Sequence, residues 1–182
     1  MAATTLENLT ELTPLLEVNP GFDELIAALE AGNSGTFDGA WGSASALAAA
    51  SLLKRSTGTV LVVLPRASDL DDYVDDLTAF TGVMPEVFPA WDTLPDEHSV
   101  ADSVFGRRLR VVRRMQSESP PPLVLATMTA LLQPVPSREE IASGTRRVST
   151  SDELEQEDFC SWLETRGFER VTGIQYPGEF AI

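Results

Sequence analysis

The sequence predicts an α/β fold in which a parallel sheet is flanked by helices. Three short apolar runs support this prediction: TVLVVLP (59–65), PEVFP (85–89) and LVLAT (123–127). The first and third are continuous apolar runs, which are typical of strands buried on both faces of a parallel sheet. Because helical patterns separate the three runs, parallel pairing with helical connections is expected.

Four helical patterns surround these strands. FDELIAALEAG (22–32) carries apolar residues at helical spacing and stops at a glycine. A small-residue pattern extends over about 43–55. A third pattern follows Ser68 and has aspartates in its early turns, where the helix dipole favours acidic side chains. A fourth extends over about 99–116, and we expect helices on both faces of the sheet.

The character of the sequence changes after Pro134. Residues 1–134 are predicted to form the α/β unit, and residues 135–182 a small α+β unit that is truncated at its C-terminal end. In the second unit Ser137 and Glu140 form a capping-box pattern at the start of a short helix. The predicted elements that follow are a strand at TRRVST (145–150), a helix with Phe159, Trp162 and Leu163, and an antiparallel pair of strands within 168–182.

The composition restricts the class of protein. The chain has 182 residues, an apolar fraction of 43% and a net charge of −15, most of which falls in residues 1–100. A surface this acidic repels the phosphate backbone, so a free-standing nucleic-acid binder is disfavoured. One cysteine and one histidine give neither a disulfide framework nor a zinc site. With no signal peptide or membrane-spanning run, we expect a cytoplasmic protein without metal, cofactor or membrane contact.

GAWGSASALAAASLL (39–53) invites comparison with the phosphate-binding loop G-x-x-x-x-G-K-[ST], which leads directly into a helix. The positions compared are Gly39, Gly42, Ser43, Ala44, Ser45 and Ala46. The last three stand where the pattern has its final glycine, its lysine and its serine or threonine. Ser45 brings no charge to a phosphate, and Ala46 has no oxygen for Mg²⁺. The sequence predicts a packing turn, a degenerate phosphate loop or a chance run of small residues, and not a working ATP site.

Two further segments contain charged groups. WDTLPDEHS (91–99) gathers three carboxylates and the histidine, which could serve acid–base chemistry, but no nucleophile accompanies them and a solvated loop is favoured. GRRLRVVRRM (106–115) places five arginines beside a core-facing stripe of a helix. The favoured interpretation is that these arginines lie on the surface and neutralise neighbouring acidic helices. Contact with nucleic acid or an acidic partner is the alternative. No catalytic residue is predicted.

Four segments occur in a characteristic order: FPAWDTLPDEHS (88–99), RRLRVV (107–112), LATMTALLQPVP (125–136) and GFERVTGIQYPGEFAI (167–182). Together they resemble the N-terminal region of bacterial transcription-repair coupling factors (Mfd) and, more distantly, the excinuclease subunit UvrB. The likeness covers about residues 36–182. UvrB has an intact nucleotide loop where this chain has residues 39–46, so the resemblance implies that the first unit is a degenerate, helicase-like subdomain related to the P-loop NTPases.

The resemblance also implies a function for the second unit. In the family, a small inserted domain binds the excinuclease subunit UvrA, and residues from about 135 onward are similar to it. UvrB uses an arginine in this contact, and the matching residues in this chain are Phe168-Glu169-Arg170. Arg170 is therefore the predicted partner-binding residue, flanked by Phe168 and Glu169.

The resemblance implies a non-catalytic interaction module that helps recruit the nucleotide-excision repair machinery to stalled RNA polymerase. RNA polymerase and DNA would be contacted only by the rest of a full-length protein, which in the family is an ATP-dependent DNA translocase. The alternative from the residues alone is a small nucleotide-dependent phosphotransferase or ATPase that uses the loop at 39–46. A third possibility is a nucleic-acid binder that acts through Arg107–Arg114.

Overall fold

The computed structural model describes residues 7–91 and 103–182, and it has an α/β fold with a small parallel sheet flanked by helices. The helices are α1 (Leu12–Glu17), α2 (Pro20–Glu30), α3 (Ser43–Leu53), α4 (Leu70–Thr81), α5 (Ser103–Met115), α6 (Met128–Leu132), α7 (Arg138–Ser143) and α8 (Gln156–Thr165). The strands are β1 (Val60–Leu64), β2 (Glu86–Phe88), β3 (Leu123–Thr127), β4 (Glu169–Arg170) and β5 (Glu179–Phe180).

The main sheet has the strand order β1-β3-β2, with both pairs parallel. β3 is the central strand, and all five of its residues are buried, as the sequence predicts. The prediction for β1 is wrong on one face, because β1 lies at the edge of the sheet and exposes Leu61 and Val63. A continuous apolar run thus indicated a strand but not its place in the sheet.

The side chains of β3 alternate between two cores, one on each face of the sheet. Leu123 and Leu125 point to the first core, which they share with α3 and α4 through Ala46, Ala50, Leu77 and Phe80. Val124 and Ala126 point to the second, which they share with β2, α5 and α6 through Phe88, Val111 and Ala130. The predicted packing of helices on both faces is confirmed.

The chain connections account for this arrangement. The connection from β1 through α4 to β2 passes across β3, and the connection from β2 through α5 returns to β3 in the opposite direction. Crossovers between parallel strands are nearly always right-handed. Two right-handed crossovers that run in opposite directions must lie on opposite faces, and α4 and α5 do so.

Arg108 of α5 is buried, with 2% of its surface exposed, although the sequence analysis places all five arginines of 106–115 on the surface. Its guanidinium lies between the rings of Phe88 and Trp91, 4.2 Å from each centroid. It donates to the backbone oxygens of Pro89, Ala130, Gln133 and Pro134 at 2.7–3.3 Å. Burial lowers the pKa of Arg108. Within the described residues, the charge is balanced by carbonyl dipoles, including that of Ala130 in α6, and no carboxylate forms an ion pair with it.

Gln133 completes the junction between the two predicted units. Its side-chain amide pairs twice with the backbone of Trp91, donating to the Trp91 oxygen and accepting from the Trp91 nitrogen, both at 2.8 Å. Together with Arg108, it fixes the segment that leads into residues 135–182.

The second predicted unit agrees with the sequence in its helices and differs in its strands. The Ser137–Glu140 capping box is present at α7, with both reciprocal hydrogen bonds formed. Residues 145–150 do not form the predicted strand. β4 and β5 pair in parallel, not antiparallel, over two residues each. The connection at 171–178 brings the chain back beside the start of β4, where the Glu169 amide donates to the Gly178 oxygen and the Val171 amide donates to the Phe180 oxygen, both at 2.9 Å.

Replacing Arg108 with methionine is expected to lower the free energy of unfolding by about 2–4 kcal/mol, because it removes the donor shared by several buried carbonyls. Denaturant unfolding followed by tryptophan fluorescence measures the change. Arg110→Met on the exposed side of the same helix serves as the matched control and should change it by less than about 0.5 kcal/mol. Equal stability of the two variants would contradict the role given to Arg108.

Candidate functional site

The loop at 39–42 turns into α3 at the position where the sequence suggested a degenerate phosphate loop. Gly39 and Gly42 have positive φ angles of 78° and 54°, which favour glycine at both positions. α3 begins at Ser43, so Ala44, Ser45 and Ala46 all lie in its first turns. Among the described residues no non-glycine has a positive φ, so the Cβ of Ala44 causes no backbone strain.

Two of the amides that could cradle a phosphate at this helix start are already occupied. The Ala44 amide donates to the Trp41 oxygen at 3.1 Å, and the Ser45 amide donates to the Gly42 oxygen at 3.0 Å. Ala46 is fully buried in the core between α3 and α4. The first turn of α3 is therefore built to pack rather than to present open amides to an anion.

Ser45, at the lysine position of the pattern, binds within the protein. Its hydroxyl donates to the Gly42 oxygen at 2.6 Å and is also hydrogen bonded to the Tyr73 hydroxyl. Since the single Ser45 proton is used on Gly42, Tyr73 is the donor in the second bond. This pair links α3 to α4 beside the loop.

An open cleft of about 760 Å³ lies between the loop, the end of β1 and α4. Four of the residues that line it are aspartates (Asp69, Asp72, Asp75 and Asp76), and its one basic residue, Arg66, forms an ion pair with Asp69 at 3.1 Å. Trp41, which is 86% exposed, stands at its margin. A cleft with this charge repels a polyphosphate.

Three other predictions concern the charged groups of 91–99, metal ligands and membrane-spanning helices. Asp92, Asp96, Glu97 and His98, the charged groups of 91–99, lie outside the described residues. Within residues 7–91 and 103–182, no group of three or more metal-ligating side chains converges. None of the helices in the same part of the chain is long and apolar enough to cross a membrane.

Arg170 lies on β4 and is accessible, with 46% of its side chain exposed. Its nearest acidic partner is Glu157 of α8, with a nitrogen–oxygen distance of 3.8 Å. This acid lies on α8, and not in the neighbouring strands that hold Glu169 and Glu179. A long, exposed pair of this kind contributes little stability, so Arg170 is held only loosely by its own chain.

Phe168 and Glu169 differ in their exposure to solvent. Phe168 is half-buried at the end of α8, where its amide donates to the Leu163 oxygen. Glu169 is exposed on β4 and pairs through its backbone with β5. Arg170 and Glu169 are therefore open to solvent, whereas Phe168 supports the strand from within.

Glu179 organises the segment opposite Arg170. Its carboxylate accepts from the amides of Gln175 and Tyr176 at 2.6 and 2.9 Å. The Gln175 and Tyr176 amides hold the pKa of Glu179 below its usual range. The carboxylate thus closes the turn that leads into β5 and leaves the side chains of Ile174 and Tyr176 exposed.

Sequence reasoning missed two contributors to these sites. The helical pattern after Ser68 gave no indication that the Tyr73 hydroxyl reaches Ser45. The aspartates of α4 were attributed to the helix dipole, yet three of them line the cleft. The spacing of three and four residues from Asp72 to Asp75 and Asp76 was the available signal, since it places them on one side of the helix.

These features define the class of protein as an α/β fold in which an acid-lined loop leads into α3. No protein-family model matches the chain. Over 143 residues the chain is 29% identical to the transcription-repair-coupling factors of Mycobacterium bovis and Mycobacterium tuberculosis, which covers 75% of this chain and 11% of each relative. It is 24% identical over 143 residues to the transcription-repair-coupling factor of Bacillus subtilis, covering 78% of this chain and 12% of that protein. The chain therefore contains a region distantly related to these factors and spans about a tenth of their length.

The loop and cleft predict that the chain does not bind ATP. A titration with Mg-ATP should leave the fluorescence of exposed Trp41 unchanged, because the Ala44 and Ser45 amides are occupied and the cleft is negative. The variant Trp41→Phe lacks this fluorophore and therefore shows which part of the fluorescence comes from Trp41. The variant Ser43→Asp adds a negative charge at the start of α3, which the helix dipole favours, so it should fold. A saturable response of the wild-type chain at micromolar ATP that is abolished in Ser43→Asp would contradict this prediction.

The Glu179 turn predicts a pH dependence. A carboxylate whose folded pKa is lowered contributes stability that is present above its unfolded pKa and is lost as the pH falls through the folded pKa. The amide resonances of Gln175 and Tyr176 should therefore shift together as the pH is lowered, with a midpoint below the ordinary glutamate pKa of about 4.3. Glu179→Gln should remove this step. A midpoint at or above the ordinary value would show that the two hydrogen bonds do not hold the carboxylate in solution.

Proposed function

We propose that this chain is a non-catalytic interaction module of a transcription-repair coupling factor and that it helps recruit the nucleotide-excision repair machinery through UvrA. The observation that carries the proposal is the distant relation to transcription-repair-coupling factors over three quarters of the chain. Because the chain spans about a tenth of those proteins, contact with RNA polymerase and DNA is assigned to the remainder of a longer protein.

The loop supports a non-catalytic role. In the proposal, residues up to 134 are a helicase-like subdomain whose phosphate loop has degenerated into a packing turn. Ser45 binds Gly42 and Tyr73 instead of a phosphate, and Ala46 lies in the core. The acidic cleft adds a second, electrostatic reason, since nothing among the residues that line it offers a free positive charge.

Arg170 supports an interaction role for residues 135–182. An arginine presents a planar fork of donors that suits a carboxylate on a partner. Arg170 is accessible and has one long contact to Glu157, so a partner carboxylate could replace that contact at little cost. The exposed side chains of Ile174 and Tyr176 lie in the segment between β4 and β5 and offer apolar area in the same unit.

Replacing Arg170 with alanine should weaken UvrA binding by about tenfold or more, as is typical for an arginine that becomes desolvated at an interface. Titration of labelled chain with purified UvrA measures the affinity. Arg170→Glu should weaken binding further, because it places a negative charge against the partner carboxylate.

Two variants make this test specific. Glu157→Gln releases Arg170 from its intramolecular pair and should leave UvrA binding equal or stronger. Arg147→Ala removes another exposed arginine from the same unit and should change binding little. Melting temperatures verify that each variant folds. If Arg170→Ala folds normally and binds UvrA as well as the wild-type chain, Arg170 is not the contact.

A further inference from the structure

Four exposed arginines of α5 remain outside the proposed function. They are Arg107, Arg110, Arg113 and Arg114, which we call the arginine face. Arg108 does not belong to it, because its side chain points into the protein.

Arg110 and Arg113 of the arginine face are directed away from the sheet, whereas Arg114 reaches Glu86 of β2. Val111 and Arg108 mark the buried side of α5, and Arg110 and Arg113 lie on the opposite side at helical spacing. The small residues Gly106 and Ser117 stand at its two ends, and a shallow groove of about 430 Å³ runs between them. At 1.5 Å per residue, this surface is about 16 Å long.

Contacts within the chain do not account for these charges. Arg114 forms an ion pair with Glu86, but Arg107, Arg110 and Arg113 have no acidic partner among the described residues. The helix dipole favours basic side chains in the last turn, which holds Arg113 and Arg114. It does not favour Arg107 in the first half of α5, and Arg110 lies outside the last turn. Among the described residues, Arg114 alone of these four has an ion-pair partner, and that partner lies on β2 rather than on a neighbouring acidic helix.

We propose that the arginine face binds an acidic segment of a partner protein, whose carboxylates accept from the unpaired guanidinium groups. Each such contact can be bidentate. An extended peptide of about five residues spans the surface at roughly 3.3 Å per residue. Its acidic side chains can therefore meet the arginines without reaching the rest of the acidic chain.

The charge distribution favours such a segment over nucleic acid. A DNA duplex carries one charge per about 1.7 Å and extends far beyond a 16 Å surface on both sides. There it would meet a protein with a net charge of −15, most of it in residues 1–100. A short acidic peptide experiences the same attraction to the arginines and much less of this repulsion.

The test uses a labelled hexaglutamate peptide and fluorescence anisotropy at low salt, with hexaglutamine and a short DNA duplex as competing probes. The wild-type chain should bind hexaglutamate in preference to both. The double variant Arg110→Glu/Arg113→Glu should weaken this binding by roughly tenfold or more. The control variant Arg138→Glu/Arg147→Glu makes the same change in net charge at two exposed arginines of the second unit and should bind nearly as the wild type does.

Three results would overturn the proposal. Equal losses in the two double variants would indicate a response to net charge alone. Tighter binding of the duplex would make nucleic acid the occupant. Self-association of the wild-type chain in sedimentation, lost in Arg110→Glu/Arg113→Glu, would make a second copy the occupant. Circular dichroism of both variants confirms that α5 remains folded.

Discussion

The burial of β3 on both faces is the constraint on which the rest of the α/β unit depends. A strand with five buried residues must be covered by a helix layer on each side and paired along both edges. The chain meets this requirement with only three strands, because successive crossovers travel in opposite directions along the sheet. α3 and α4 therefore fall on one face, and α5 and α6 on the other.

A buried arginine then connects the sheet to the second unit. Arg108 reaches from α5 past the end of β2 to the carbonyls at the end of α6, between two aromatic rings. A neutral residue of similar size would fill the space but leave those carbonyls without a donor. Gln133 adds its two bonds to Trp91, so the direction in which the chain leaves at Pro134 is set by polar contacts rather than by apolar packing alone.

Local patterns in the sequence predicted most of the elements but not their neighbours. The strand runs, the helix at 43–53 and the Ser137 capping box follow from residue order, because they depend on contacts a few residues apart. The exposed side of β1, the burial of Arg108 and the bond between Ser45 and Tyr73 depend on contacts made across the fold. The parallel pairing of β4 and β5 was missed for a related reason. Strands of two residues are too short for alternation to indicate direction.

Acidic and basic side chains lie on opposite faces of the sheet, which the net charge of the chain does not indicate. The aspartates of α4 and the preceding turn surround the cleft on one face, and the arginine face of α5 lies on the other. The first arrangement puts no free positive charge among the residues that line the cleft, where position 45 is a serine. The second concentrates positive charge on one described surface of a chain with a net charge of −15. In such a field a charged partner is oriented before contact, because attraction and repulsion act from opposite sides of the same small sheet.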